Sequence, residues 1–145
     1  MRILVLNGPN LNLLNKRVAK HYGGLSLEEL ERSVVEAFPD VEIVFRQSNH
    51  EGEHVEWVQG AAEEGFDGLL ANFGGYSHTS VAIHDALELC PLPKVEVHLS
   101  NLHAREPFRH ESLTARRMDG VVLGFGPLGY RLGVRALLER ATEGS

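Results

Sequence analysis

Short apolar runs recur along the chain at residues 2–6, 41–45, 68–72, 95–99 and 120–124, and stretches of helical spacing separate most of them. Strands buried on both faces of a sheet read as nearly continuous Val, Ile and Leu. Strands alternating with helices give an α/β arrangement around a parallel sheet. The first run stops at Asn7-Gly8-Pro9-Asn10, where Gly and Pro end a strand and open a loop. Ser26-Leu27-Glu28-Glu29 is a capping box, and Leu27, Leu30, Val34 and Phe38 follow at helical spacing up to the stop at Pro39. A polar exit loop at 47–52 precedes a helix expected from about Glu53 to Glu64, with Val55, Val58 and Ala62 as its apolar face and Gly65 as its cap. After the third run come a glycine-bearing loop at 73–80, with Thr79 or Ser80 as cap, and a helix at 81–89. Pro91 and Pro93 break the chain before the fourth run, residues 110–118 read as polar and only partly helical, and Pro127 opens a last helix to about Arg140. Five strands in this length predict the flavodoxin-like order 2-1-3-4-5 with helices on both faces, in a single domain spanning residues 1–145.

The fourth run breaks the apolar rule. Val95 to Leu99 carries Glu96 and His98, two residues apart and so on one face of the strand. Taken alone, a buried His satisfied by its neighbouring Glu explains the pair as well as chemistry does. What surrounds it favours chemistry: Ser100 and Asn101 stand where the strand ends, where backbone N–H groups can bind an anion, and Arg105 and Arg109 follow four apart. In such sheets the ligand lies beyond the carboxyl ends of the strands, where strand order reverses. Those ends are expected to deliver Asn10, then Asn72, Gly74, Gly75 and His78, then His98, Leu99, Ser100 and Arg109. Residues 11–24 show no clean period and mix Lys16, Arg17, Lys20, His21 and Tyr22 among apolar residues, as a mobile active-site loop does.

Several classes fall away. A net charge of −6 and a pI near 5.7 lack the basic excess of nucleic-acid binders, and no run approaches the ~20 apolar residues of a membrane span. The single cysteine, Cys90, rules out an internal disulfide framework and fits a reducing, cytoplasmic setting. Eight histidines contain no H-E-x-x-H, and only His50 and His54 share i,i+4 spacing, so no metal is expected. The first crossover has neither G-x-G-x-x-G nor G-x-x-x-x-G-K-[ST]. A flavodoxin-like protein that binds a nucleotide or other small ligand, without catalysis, is the alternative.

Three motifs then carry a resemblance over nearly the whole chain: Asn7-Gly8-Pro9-Asn10-Leu11-Asn12-Leu13-Leu14 with Arg17 and Tyr22-Gly23; Asn72, Gly74 and His78-Thr79-Ser80-Val81-Ala82; and Glu96-Val97-His98-Leu99-Ser100-Asn101 with His103-Ala104-Arg105 and Phe108-Arg109. The chain resembles the type II 3-dehydroquinate dehydratases. It departs from them at Asn15 in place of Gly, at Val18-Ala19 in place of Glu-Pro, at Phe73 in place of Pro, and at His84 in place of Arg before Asp85. The resemblance implies loss of water from 3-dehydroquinate in the shikimate pathway, with no cofactor. It implies Tyr22 as a tyrosinate base beside Arg17, Asn10 stabilising an enolate through an ordered water, His98 as the acid, and Glu96 orienting it. It places the substrate carboxylate on the Leu99 and Ser100 amides with Asn72, and the ring hydroxyls on His78, Arg109 and Asp85. It also implies a homododecamer built from trimers, in which Asp85 reaches a neighbouring subunit's site.

Overall fold

The structure is a computed structural model that describes residues 1–22 and 24–143. Its strands are β1 (Arg2–Asn7), β2 (Glu42–Gln47), β3 (Gly68–Asn72), β4 (Lys94–His98) and β5 (Gly120–Leu123). Its helices are α1 (Ala19–Tyr22), α2 (Leu27–Ala37), α3 (Glu51–Gly60), α4 (Val81–Leu89) and α5 (Leu128–Glu143). All strand pairs are parallel and the order is β2-β1-β3-β4-β5, as the alternation predicts.

Period-two alternation sorts the sheet residues to its two faces. Ile3, Val5, Leu70, Val95 and Val97 pack under α2 and α5, against Leu30, Val34, Tyr130 and Leu137. Leu4, Leu6, Leu69 and Ala71 pack under α3 and α4, against Val58, Ile83 and Leu87. The capping box opening α2 is complete, with the Glu29 N–H donating to Ser26 Oγ at 3.1 Å and the Ser26 N–H donating to Glu29 Oε1 at 3.3 Å. Ser80 caps α4 by accepting from the Ile83 N–H at 2.9 Å.

Three segments differ from expectation. Strand β2 lies one to two residues further along than 41–45, because pairing with all of β1 carries it to Gln47. The segment after β1 is not irregular: Leu11–Lys16 forms a 3-10 turn kinked at Leu13, anchored by buried Leu11 and Leu14, and α1 follows. Helix α3 starts at Glu51 rather than Glu53 and ends at Gly60 rather than Glu64, and it buries His54 and Val58 while Ala62 is exposed.

His54 is fully buried, with its ring edge-on to Trp57 at 5.2 Å and to Phe73 at 5.5 Å. Its Nε2–H donates to the Ser48 carbonyl at 2.9 Å, and Nδ1 has no hydrogen-bond partner. Burial pushes this imidazole below its ordinary pKa, so the folded chain holds it neutral. The unfolded chain takes up a proton at about pH 6.5. The stability contributed by the neutral ring is therefore present above about pH 6.5 and lost as pH falls through the lowered folded value. The urea midpoint is expected to drop from pH 7.5 to pH 5, and to drop less in His54→Gln. Equal pH slopes for the two proteins would show that the ring is not held neutral by its pocket.

Candidate active site

A cleft opens at the carboxyl ends of β1, β3 and β4, on the side where strand order reverses at the β1–β3 pair. Gly8 lets the first turn into this place: an added Cβ there would sit 2.2 Å from the Phe73 carbonyl oxygen, and the Gly8 N–H donates to the Asn72 carbonyl at 2.7 Å. Asn10 follows at φ 68°, a left-handed conformation that Asn tolerates better than most residues. Its backbone N–H donates to Asn49 Oδ1 at 3.0 Å, so the exit of β2 braces the exit of β1.

Of the residues singled out from sequence, Arg17, Asn72, His78, His98, Leu99, Ser100 and Arg109 line this one cleft, together with Arg105. Asn10 is exposed and stands outside the lining, and Asp85 is exposed on α4, bonded to His84. The side chain of Tyr22 lies outside the described residues.

Glu96 is fully buried behind His98, which is itself 4% exposed. His98 Nε2–H donates to Glu96 Oε2 at 2.7 Å, which leaves Nδ1 as the ring's other nitrogen. The His78 ring lies nearly parallel to His98, 21° from coplanar with centroids 6.3 Å apart, and its Nδ1–H donates to the Glu111 carbonyl at 2.7 Å. Glu96 has two further donors that sequence reading missed: Ser112 Oγ at 2.8 Å, and Thr114 Oγ1 in a short hydrogen bond to Oε1.

Asn72, 4% exposed, is fixed from below. Its Oδ1 accepts from the Gly74 N–H at 3.1 Å, so the amide nitrogen must be the atom that donates to the Tyr130 hydroxyl at 3.0 Å. Tyr130 in turn donates to Asn7 Oδ1 at 2.6 Å. Burial pushes the Tyr130 phenol far above its ordinary pKa, so it works here as a neutral hydrogen-bonding group.

The cleft's other rim is cationic. Arg105 Nη1 donates to Ser100 Oγ at 3.2 Å, and Arg109 Nε donates to Glu106 Oε2 at 3.1 Å. Glu106 is held below the ordinary carboxylate range by its own backbone N–H and by Arg109. Among the described residues, one group could share a cation, His84, Asp85 and Glu88. Arg117 already stands there, with Nε donating to His84 Nε2 at 3.2 Å and Nη2 lying 3.4 Å from Glu88, so a cation fits poorly.

The parallel α/β fold thus sets a buried carboxylate–imidazole pair beside strand-end amides and guanidiniums, groups able to move a proton and to bind an anion. The family model for class II dehydroquinases matches residues 1–138. The chain is 50% identical over 141 residues to a 3-dehydroquinate dehydratase of Chelativorans sp., covering 95% of this chain and 97% of that one. It is 50% identical over 145 residues to the 3-dehydroquinate dehydratase of Thermus thermophilus, covering 98% and 97%. The crystal structure of type II dehydroquinase from Butyrivibrio crossotus aligns with a TM-score of 0.92 at 41% identity, covering 94% of this chain and 97% of that one. The chain belongs to the class II dehydroquinase family and is a hydro-lyase.

Proposed function

We propose that this chain dehydrates 3-dehydroquinate to 3-dehydroshikimate, in the shikimate pathway that leads to aromatic amino acids, with residues 1–145 acting as one catalytic domain. The observation that carries the reading is the buried Glu96–His98 pair facing a cationic cleft at the strand ends. A base removes the proton from the carbon alpha to the ketone, and the electron pair moves onto the carbonyl oxygen as an enolate. The enolate then collapses, the C–O bond on the next carbon breaks, and the departing hydroxyl takes a proton from His98 and leaves as water. The proton held by the base returns to His98 to close the cycle.

Tyr22 is the proposed base. A phenol titrates near ~10, and the Arg17 guanidinium favours its anion. Asn10 stabilises the enolate through an ordered water, as a preorganised dipole does. Glu96 takes the Nε2–H and so orients the ring, and the acid is the imidazolium, whose Nδ1–H faces the departing hydroxyl. The carboxylate of the substrate rests on the Leu99 and Ser100 amides and the Asn72 amide. His78 and Arg109 hold ring hydroxyls, with Asp85 supplied to a neighbouring subunit of a homododecamer built from trimers. A cytoplasmic setting suits a small-molecule biosynthetic step with no cofactor, no nucleic acid and no membrane; no helix among the described residues is long and apolar enough to cross one.

The test is incubation with 3-dehydroquinate, followed by the ultraviolet absorbance of the conjugated product. Borohydride added with substrate separates this route from one through a lysine imine. Such a lysine must be desolvated to be neutral and nucleophilic. Lys16 and Lys20 are exposed, and Lys94 opens β4 at the opposite end of the sheet, with its ammonium donating to the Cys90 carbonyl at 2.8 Å. Activity and protein mass are expected to survive borohydride. A substrate-sized adduct on any lysine, with inactivation, would overturn the acid–base route.

A further inference from the structure

Both imidazoles of the cleft are held by one short stretch of chain, residues 111–114. The Glu111 carbonyl takes the Nδ1–H of His78 at 2.7 Å. The Leu113 N–H donates to the Ser77 carbonyl at 2.7 Å, which ties the stretch to the loop carrying His78. Ser112 Oγ accepts from the Ala115 N–H at 3.1 Å, which turns its own hydrogen towards Glu96 Oε2 at 2.8 Å. Thr114, fully buried, donates to the other carboxylate oxygen, Oε1. Glu96 is fully buried, so a carboxylate oxygen left without a donor there is costly, and the carboxylate's rotation follows its donors.

We propose that Ser112 and Thr114 are positioning residues for the dehydration: their hydroxyls set the rotation of Glu96, and the 111–114 stretch thereby fixes His98 with Nδ1, and His78 with Nε2, towards the cleft. This rests on the assignment of His98 as the acid. Neither Ser112 nor Thr114 lines the cleft. Their effect passes through Glu96, whose Oε2 receives both Ser112 and the His98 Nε2–H, while Thr114 holds Oε1 and stops the group from turning. The titratable and charged groups around His98 are Glu96 behind it, His78 beside it, Arg17, Arg105 and Arg109 across the cleft, and His103 and His110 at its back.

Thr114→Val removes the hydroxyl and keeps the shape; Thr114→Ser keeps the hydroxyl. For Thr114→Val, kcat is expected to fall about 10–100-fold, in the range expected for a lost hydrogen bond to a charged group. KM should change little. Thr114→Ser should return kcat to within a few-fold of the parent, and Ser112→Ala should behave as a weaker Thr114→Val. An unchanged kcat in Thr114→Val overturns the proposal, as does an equal loss in Thr114→Ser, which would make the effect one of packing. Imidazole nitrogen NMR of the free protein, at a pH where the rings are neutral, supplies a readout independent of turnover: neutral His98 should carry its proton on Nε2 and neutral His78 on Nδ1, with the His98 preference weakened in Thr114→Val. If the parent does not dehydrate 3-dehydroquinate, the proposed function falls while the NMR result still decides whether the brace sets the tautomer. A His98 tautomer unchanged by Thr114→Val would sink the brace even in an active enzyme.

Discussion

His98→Ala is expected to lower kcat by about 10²–10⁴-fold, the usual contribution of a positioned proton donor to the reaction it serves. The fold should survive. Glu96 keeps the Ser112 and Thr114 donors after the ring is gone, so the variant loses one of the carboxylate's partners, at a cost of roughly 1–3 kcal/mol. Circular dichroism and a thermal melt on the same sample separate the two effects. A folded His98→Ala protein with near-normal turnover would remove this imidazole from the chemistry.

Gly8→Ala is expected to damage stability and activity together. The added methyl would stand 2.2 Å from the Phe73 carbonyl oxygen and 2.4 Å from its carbon, both backbone atoms that no rotamer change can move. The first turn must shift away from the exit of β3, breaking the 2.7 Å hydrogen bond to the Asn72 carbonyl and displacing Leu11 and Arg17 at the cleft. Forced overpacking of this kind costs about 1–3 kcal/mol or more. A lower urea midpoint and a raised KM are the measurements to make. Parental values for both would mean that the two turns are not packed as tightly as these distances state.

Sequence reading succeeded where the physics is local. The strands were legible because burial on both faces demands unbroken apolar runs, and α2 because Ser26 and Glu29 form a complete box. Helix α3 was misplaced because its N-cap, His50, makes no side-chain capping bond, and because its inward face includes a histidine that breaks the apolar period. The strand-end residues of the cleft were legible because every parallel α/β sheet puts its ligand there. Ser112, Thr114 and Tyr130 were not. Their partners lie 16, 18 and 58 residues away, and nothing in their own neighbourhoods distinguishes a polar loop hydroxyl from a structural one. Asn10 shows the opposite limit: its position after β1 was plain, but its seat at the rim is decided by Asn49 on the next strand's exit.

The chain Asn7–Tyr130–Asn72 bears on the order in which the protein matures on the ribosome. Asn7 and Tyr130 are 123 residues apart. A nascent chain that has emerged through β4 already possesses both asparagines and His98, yet the hydroxyl that joins the two asparagines belongs to the final helix. Until α5 docks, Asn7 and Asn72 face an open sheet surface where water competes for the same groups. The floor of the cleft is therefore bridged only at the end of synthesis, and a product truncated before residue 130 would keep all five strands while lacking the hydroxyl that joins Asn7 to Asn72.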